Sequence, residues 1–197
     1  MTEAVVQDLS RFHTPTGFRG RSAVVVQLWW LAQATLFACS PQFMYGWRNW
    51  LLRLFGAEIG KGVLIRPSVR ITYPWKLRIG DYSWVGDRVE LYTLGAIRIG
   101  DNAVVSQYCY LCTGSHDMAA PAFDIFAETI TVEDEAWIAA GAFVHPGVTI
   151  ARGSVIAARS VVRHNTEPYG VYAGTPLAWI RSRVTTAAPS DPIGDAR

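Results

Sequence analysis

The stretch Ile79-Gly-Asp-Tyr-Ser-Trp-Val85-Gly-Asp-Arg-Val-Glu-Leu91 is followed by Ile99-Gly-Asp-Asn-Ala-Val-Val105-Ser-Gln-Tyr-Cys-Tyr-Leu111, and in both an aliphatic residue returns every six positions. Working outward, the same spacing gives Ile59, Ile65 and Ile71 before them, then Val132, Ile138, Val144 and Ile150, Ile156, Val162 after them. All fifteen positions hold Ile, Val or Leu. Four residues after most of them the side chain is small, as at Val63, Ser83, Ala103, Cys109, Ser115, Ala136, Ala142, Ser154 and Ser160; Trp75 is the exception. A period of six fits neither an amphipathic helix nor simple strand alternation. It fits a triangular coil in which each hexad makes one side, the aliphatic residue points to the axis and the small residue sits near a corner. The glycines that often follow the aliphatic residue (Gly60, Gly80, Gly86, Gly100) are expected to permit the tight corner backbone. Successive coils then pair as parallel strands, giving an all-β parallel β-helix of about five coils.

The departures from the period are also informative. The sets restart at 59, 79, 99, 132 and 150, so two coils carry two extra residues, near Leu77 and Ile97. The step from Leu111 to Val132 is 21 positions where six would do. The surplus must leave the prism as a loop over about residues 116–131, and long loops on regular scaffolds are usually functional.

Ahead of the repeat, residues 22–39 contain no charged side chain and are rich in Val, Leu, Trp and Ala. Residues 41–55 place Phe43, Trp47, Trp50, Leu51 and Leu54 on one helical face, with Arg48 and Arg53 away from its centre. Residues 1–56 are therefore expected to form an N-terminal helical segment. Three readings are open for it: a cap over the end of the β-helix, attachment to a membrane surface, or a span, for which the apolar run lies at the lower length limit. Residues 57–183 form the β-helix domain, and residues 184–197, without periodicity, a disordered tail. A formal charge of +2 gives no footprint for nucleic acid. The odd cysteine count (Cys39, Cys109, Cys112) argues against a disulfide framework and for a cytoplasmic protein, and the acidic start (Glu3, Asp8) is unlike a signal peptide. Cys109 and Cys112 form a lone C-x-x-C without a second pair, so no metal site is expected.

The stretch Tyr110-Leu-Cys-Thr-Gly-Ser-His116-Asp117, the loop, Ala136-Trp137-Ile138-Ala139-Ala140, Pro146-Gly147-Val148-Thr149-Ile150 and the ending Pro168-Tyr-Gly-Val-Tyr-Ala173-Gly174-Thr175-Pro176 resemble the hexapeptide-repeat acetyltransferases. The branch is that of the galactoside, maltose and Nod-factor enzymes, and within it the WcaF-like group of colanic-acid and exopolysaccharide acetyltransferases. Gln27-Leu-Trp-Trp-Leu, Ser40-Pro-Gln-Phe and Arg66-Pro-Ser-Val-Arg-Ile-Thr-Tyr-Pro-Trp75 fit that group as well. The resemblance implies a left-handed coil, a short C-terminal helix, a homotrimer with sites at subunit interfaces, and transfer of an acetyl group from acetyl-CoA to a sugar hydroxyl of a glycan precursor.

It also implies residue roles. His116, where the loop departs, takes the place of the general base, for which imidazole is suited. Asp117 is a candidate to orient it, a backbone carbonyl being the alternative. Ala140, Ala158, Arg163, His164 and Arg181 match positions along the CoA groove; Trp137 borders the groove or packs on the prism flank, and Arg159 and Arg183 are further phosphate candidates. The family's Asn and Asp on the preceding coil are replaced by Gly86, Arg88 and Thr93, and its Thr-Lys pair by Arg163-His164, while Ala178 stands where an arginine is common. A different acceptor pocket follows, with Asp87, Glu90, Tyr92 and Asp124 as polar candidates. His145 is either a corner residue or part of the groove wall. The competing readings are N-acetylation of a nucleotide-linked amino sugar, a non-catalytic scaffold, and a zinc enzyme on the same prism. The last needs a close histidine pair, which His116, His145 and His164 do not supply.

Overall fold

The computed structural model describes residues 6–184, so the expected disordered tail lies, apart from Val184, outside the described residues. Two α-helices, α1 (Ala23–Ala32) and α2 (Tyr45–Leu54), precede the repeat, and a turn of π-helix (Gln33–Phe37) prolongs α1. Five triangular coils follow: β1–β3 (Glu58–Ile59, Leu64–Ile65, Arg70–Ile71), β4–β6 (Leu77–Ile79, Trp84–Val85, Glu90–Tyr92) and β7–β9 (Ile97–Ile99, Val104–Val105, Tyr110–Cys112) before the insertion. The insertion holds β10 (Gly114–His116) and β11 (Ile125–Ala127). Then come β12–β14 (Ile130–Val132, Trp137–Ile138, Phe143–Val144) and β15–β17 (Thr149–Ile150, Val155–Ile156, Val161–Val162). A single further side, β18 (Gly170–Ala173), starts a sixth turn, and β19 (Ala178–Ser182) ends the described chain. The fold is the parallel β-helix expected from the hexads, with the left-handed coil that the resemblance implies.

The aliphatic residues of successive coils pair directly: Ile59 with Ile79, Ile79 with Ile99, Ile99 with Val132 and Val132 with Ile150. The ladder therefore runs across the insertion without a break in register. All fifteen hexad positions are buried, as are the small residues Val63, Ser83, Ala103, Cys109, Ala136, Ala142, Ser154 and Ser160. Ser115 is the departure: it is exposed, because the chain has already left the prism there to form β10. Trp75 fits because a 3₁₀ turn (Pro74–Lys76) carries that corner outward. There its indole stacks on Tyr73 and its Nε1–H donates to the Arg19 carbonyl at 2.7 Å.

The corner backbone is built differently from expectation. Gly60, Gly80, Gly86 and Gly100 are absent from the residues with positive φ, whereas Tyr82, Arg88, Asn102, Tyr108, Glu135 and Arg159 have φ of 54–61°. The glycines serve close approach between coils instead: a Cβ on Gly80 would lie 2.6 Å from the Gly100 carbonyl carbon.

Side chains of the N-terminal segment complete the open end of the prism. An uncovered first coil would present unpaired backbone groups. Asn49 Nδ2 donates to Val63 O, Arg53 to Ile59 O and Gly60 O, and Trp29 Nε1 to Ile71 O, while Gln33 Oε1 accepts from Ile71 N. Arg48 is fully buried without a carboxylate; its guanidinium donates to Ile65 O, Pro41 O, Gln42 O and Ser40 Oγ. This inverts part of the expected amphipathic pattern. The inward side of α2 carries Arg48, Asn49, Leu51 and Leu52, and Phe43, Trp50 and Leu54 are exposed.

The far end also differs from expectation. In place of a short C-terminal helix, β19 pairs antiparallel with β18. The edge of β18 thereby gains partners, which a helix would have left open. Tyr172 is buried beneath this hairpin, and its hydroxyl accepts from Glu167 N.

Candidate active site

The insertion is an ordered arm. β10 and β11 pair antiparallel with His116 opposite Ile125, and the tip is closed by Asp117 N–H donating to Asp124 O at 2.8 Å. The arm leaves the corner between the side of β9 and the side of β12. Its base packs against the prism through Ile125 and Ala127, grouped with Val26, Tyr73, Leu94 and Tyr92. The N-terminal segment clasps the tip, with Asp8 N–H donating to Pro121 O at 2.7 Å.

His116 is held from three directions. Its Nδ1 lies 2.7 Å from the Phe123 carbonyl oxygen. A carbonyl can only accept, so Nδ1 carries a hydrogen, and in the neutral imidazole Nε2 is the acceptor. The imidazole stacks on the Phe123 ring at 4.2 Å and 9°, and Phe12 lies 5.9 Å away at a tilt. Asp117 does not orient it: the Asp117 carboxylate accepts from Ala119 N at 2.9 Å and shapes the tip. Consecutive residues leaving a strand point to opposite sides, which separates the pair. Phe123 and Phe12 escaped the sequence reading because both lie in segments without periodicity.

A groove of about 980 Å³ runs along another side of the prism, that of β2, β5, β8 and β13. Trp84, Val104, Ser106, Tyr108 and Trp137 line it, with Arg66, Asp87 and Arg183 at its edges. Trp137 is half exposed, and its Nε1–H donates to Ser106 Oγ at 3.0 Å. Asp87 is engaged within the protein. Arg66 Nε donates to it at 2.7 Å and Ser68 Oγ at 2.8 Å, and the Arg66 bond holds the Asp87 carboxyl below the ordinary range. Arg183 donates to Glu135 O and Gly153 O, which commits it to the corner stack.

The remaining sequence candidates are distributed over the prism. Ala140 and Ala158 lie on stacked corners, with Arg159 N–H donating to Ala140 O at 2.9 Å. Arg163 and His164 are exposed at the next corner, just after β17, and Arg181 is exposed on β19. Glu90 and Tyr92 lie on the side of β6 and β9, where they line a second groove of about 620 Å³ with Trp30, Gln33 and Arg70. Burial raises the Glu90 carboxyl pKa, against the opposing charge of Arg70. Asp124 is exposed at the arm tip. Thr93 is buried, exchanging hydrogen bonds with the backbone of Tyr73, so it is a corner residue. His145 is half buried against Phe143, and burial, then the Arg163 charge, depress its pKa. Burial pushes the Cys109 thiol up to about 11, which makes it a poor nucleophile. Among the described residues no group of three or more His, Cys, Asp or Glu is placed to hold a metal ion.

One chain thus separates the histidine arm from the Trp84–Trp137 groove: the arm leaves the corner opposite the side on which the groove lies.

No protein-family model matches the chain. A relative from Escherichia coli (strain K12), WcaF, whose name describes a colanic acid biosynthesis acetyltransferase, is 58% identical over 181 residues, covering 92% of this chain and 100% of its own. The galactoside O-acetyltransferase of the same organism is 27% identical over 137 residues, 68% of each chain. Among solved structures, a galactoside acetyltransferase in complex with coenzyme A superposes with a TM-score of 0.77 at 23% identity, over 87% of this chain and 84% of that one. The hexapeptide-repeat acetyltransferase VCA0836 of Vibrio cholerae, complexed with acetyl coenzyme A, gives 0.75 at 24%, over 90% and 96%. The hexads, the ordered histidine arm and 58% identity to WcaF over 92% of the chain together make this chain a member of the hexapeptide-repeat acetyltransferases, on the WcaF-like branch.

Proposed function

We propose that the protein transfers an acetyl group from acetyl-CoA to a sugar hydroxyl of an exopolysaccharide or glycan precursor, with His116 as general base. The observation that carries this reading is the hydrogen bond from His116 Nδ1 to Phe123 O, which leaves Nε2 as a free acceptor. The acceptor hydroxyl gives its proton to Nε2 as its oxygen bonds to the acetyl carbon, and the proton passes to the departing CoA sulfur. Two-ended support by a carbonyl and a stacked ring holds the imidazole ready for both transfers. Direct transfer is favoured over an acyl-enzyme because the Cys109 thiol is buried and its pKa raised.

The site is completed by a second copy in a homotrimer. The separation of arm and groove supports this, since one copy's arm can close over the neighbour's Trp84–Trp137 groove in a head-to-tail ring. The named ligands of the solved relatives support CoA as the donor. The stacked small residues Ala140 and Ala158 leave room for a thin pantetheine arm, and Arg163, His164 and Arg181 offer exposed donors for its phosphates. The acceptor then meets groove residues of one copy and arm residues of the other, Asp124 among them. Tyr92 borders the arm's base in its own chain, and Glu90 lines the groove beside it. Three free cysteines support a reducing, cytoplasmic setting, where acetyl-CoA is supplied.

The test is CoA-thiol release from acetyl-CoA with a panel of sugars, nucleotide sugars, amino sugars and polysaccharide fragments. Acceptor-dependent release confined to hydroxyl acceptors is expected, falling at least ~100-fold in His116→Ala. Release with amino sugars alone would replace O-acetylation by N-acetylation, and release unchanged by the substitution would remove His116 from the reaction.

A further inference from the structure

Helix α1, Ala-Val-Val-Val-Gln-Leu-Trp-Trp-Leu-Ala, is apolar around nearly its whole circumference, a pattern of helices surrounded by protein or lipid. Only one side is covered: Val26, Trp29 and Ala32 are buried against the prism. On the outer side Val24, Leu28 and Leu31, at helical spacing, are 68%, 53% and 63% exposed. Helix α2 repeats the arrangement. Its inner side is tied to the first coil by Arg48 and Asn49, and Phe43, Trp50 and Leu54 are 80%, 51% and 64% exposed. The two outer faces adjoin, because Trp47 Nε1–H donates to Leu36 O at 2.9 Å and Trp47 stacks on Trp50 at 5.1 Å. Single exposed apolar residues are ordinary, but two adjoining helical faces of them mark a contact surface.

The charge around this surface says what it contacts. From Asp8 to Glu58 the chain has no acidic residue between, yet holds Arg11, Arg19, Arg21, Arg48 and Arg53, while the net charge of the whole protein is +2. Arg48 is buried, and the other four are exposed. The Arg21 guanidinium lies against Gly56, two residues beyond Leu54, at the rim of the apolar face. Among the described residues no helix is long and apolar enough to cross a membrane.

We propose that the outer face of α1 and α2 docks flat on the surface of a bilayer containing anionic lipid. The apolar side chains enter the headgroup boundary, the tryptophans sit at its level, and the flanking arginines meet the lipid phosphates. A second copy of the chain is a poorer occupant, since it would bring two arginine-rich rims together. The inference is independent of the acceptor: it concerns where the enzyme works, and its readout is not turnover.

The experiment is flotation of the full-length protein with vesicles of phosphatidylcholine alone and of phosphatidylcholine mixed with phosphatidylglycerol. Binding to the mixed vesicles is expected, weakening as salt rises. It should fall at least about tenfold both in Leu28→Glu/Leu31→Glu and in Arg19→Glu/Arg21→Glu, the second pair lying outside both helices and so carrying the test if the first misfolds. CoA release with a soluble acceptor and the oligomeric mass should match the parent in both. Failure of the parent protein to float, equal flotation with neutral vesicles, or variants that float like the parent would each overturn the proposal. A changed oligomeric mass in the Leu28→Glu/Leu31→Glu protein would overturn it too, by showing another copy to be the occupant.

Discussion

His116 and Phe123 face each other across the arm tip, ring on ring at 4.2 Å, with His116 Nδ1 also 2.7 Å from the Phe123 carbonyl oxygen. The same residue thus sets both the tilt of the imidazole and its tautomer, and the neighbouring carboxylate has no part in either. Asp117→Asn should therefore keep kcat within about tenfold of the parent, whereas His116→Asn should lose the ~10²–10⁴ of a general base. Steady-state rates with one soluble acceptor compare the two. Equal losses would restore Asp117 as the orienting group.

The buried guanidinium of Arg48 joins the first coil, through Ile65 O, to the turn before α2, through Ser40, Pro41 and Gln42. Arg48→Ala removes the donors of the Ile65, Pro41 and Gln42 carbonyls, of which that of Ile65 is buried. The lost partner of that buried carbonyl costs ~1–3 kcal/mol, and the space left by a fully buried side chain adds to it, so a destabilisation of about 2 kcal/mol or more is expected. Arg48→Lys should recover little of it, because one ammonium cannot reproduce a planar fork spread over three carbonyls. Urea midpoints of the two variants check this; a lysine variant as stable as the parent would show that charge alone suffices.

What the sequence reveals and what it hides divide along physical lines. The pairing of Ile99 with Val132 is legible because the hexad period counts residues along the axis, and the insertion merely interrupts the count. Arg48, Asn49 and Gln33 are not legible as cap residues. They bind backbone atoms 14 to 38 positions away, and no periodicity marks a donor that completes a sheet edge. The same gap hides Phe123. Gly80 was legible as a corner residue for the wrong reason: turn conformation falls to Tyr82 and Asn102, and Gly80 is needed for the distance between coils.

That distinction is measurable. Gly80→Ala would place a Cβ 2.6 Å from the Gly100 carbonyl carbon and 2.8 Å from Asp101 N, both backbone atoms of the next coil. Overpacking of this kind costs ~1–3 kcal/mol. Tyr82→Gly, at φ 57°, relieves a left-handed conformation and should cost far less or stabilise. Thermal melts that ranked the two in the opposite order would return the corner glycines to a conformational role.

Asp87 links pH to stability. Its pKa is depressed, first by the Arg66 hydrogen bond, so the folded state binds its proton less readily than the unfolded chain. Its contribution is present above the unfolded carboxyl pKa, about 3.9, and is lost as pH falls through the lower folded value. Asp87→Asn should flatten the acid limb of the stability curve below about pH 4 while leaving acceptor KM near the parent value, because the carboxylate is occupied by Arg66 and Ser68. A raised KM with an unaltered acid limb would reassign Asp87 to the acceptor.

The proposed division of the site between copies yields the sharpest expectation. His116→Ala removes the arm's base, and Trp137→Ala removes the indole of the groove with its bond to Ser106. If arm and groove met within one chain, mixing the two variants could never restore activity, since every chain would be defective in its own site. In a head-to-tail ring the groove of a His116→Ala copy can receive the arm of a Trp137→Ala copy, and both contributors to that site are then intact. Random mixing in equal amounts makes about one quarter of the sites intact. Every trimer that holds both variants has one such site in three, so co-expression of differently tagged variants, followed by isolation of mixed oligomers, should recover about one third of the parent turnover from two nearly inactive proteins. Recovery no greater than the mean of the two variants alone would show that arm and groove serve separate purposes within each chain.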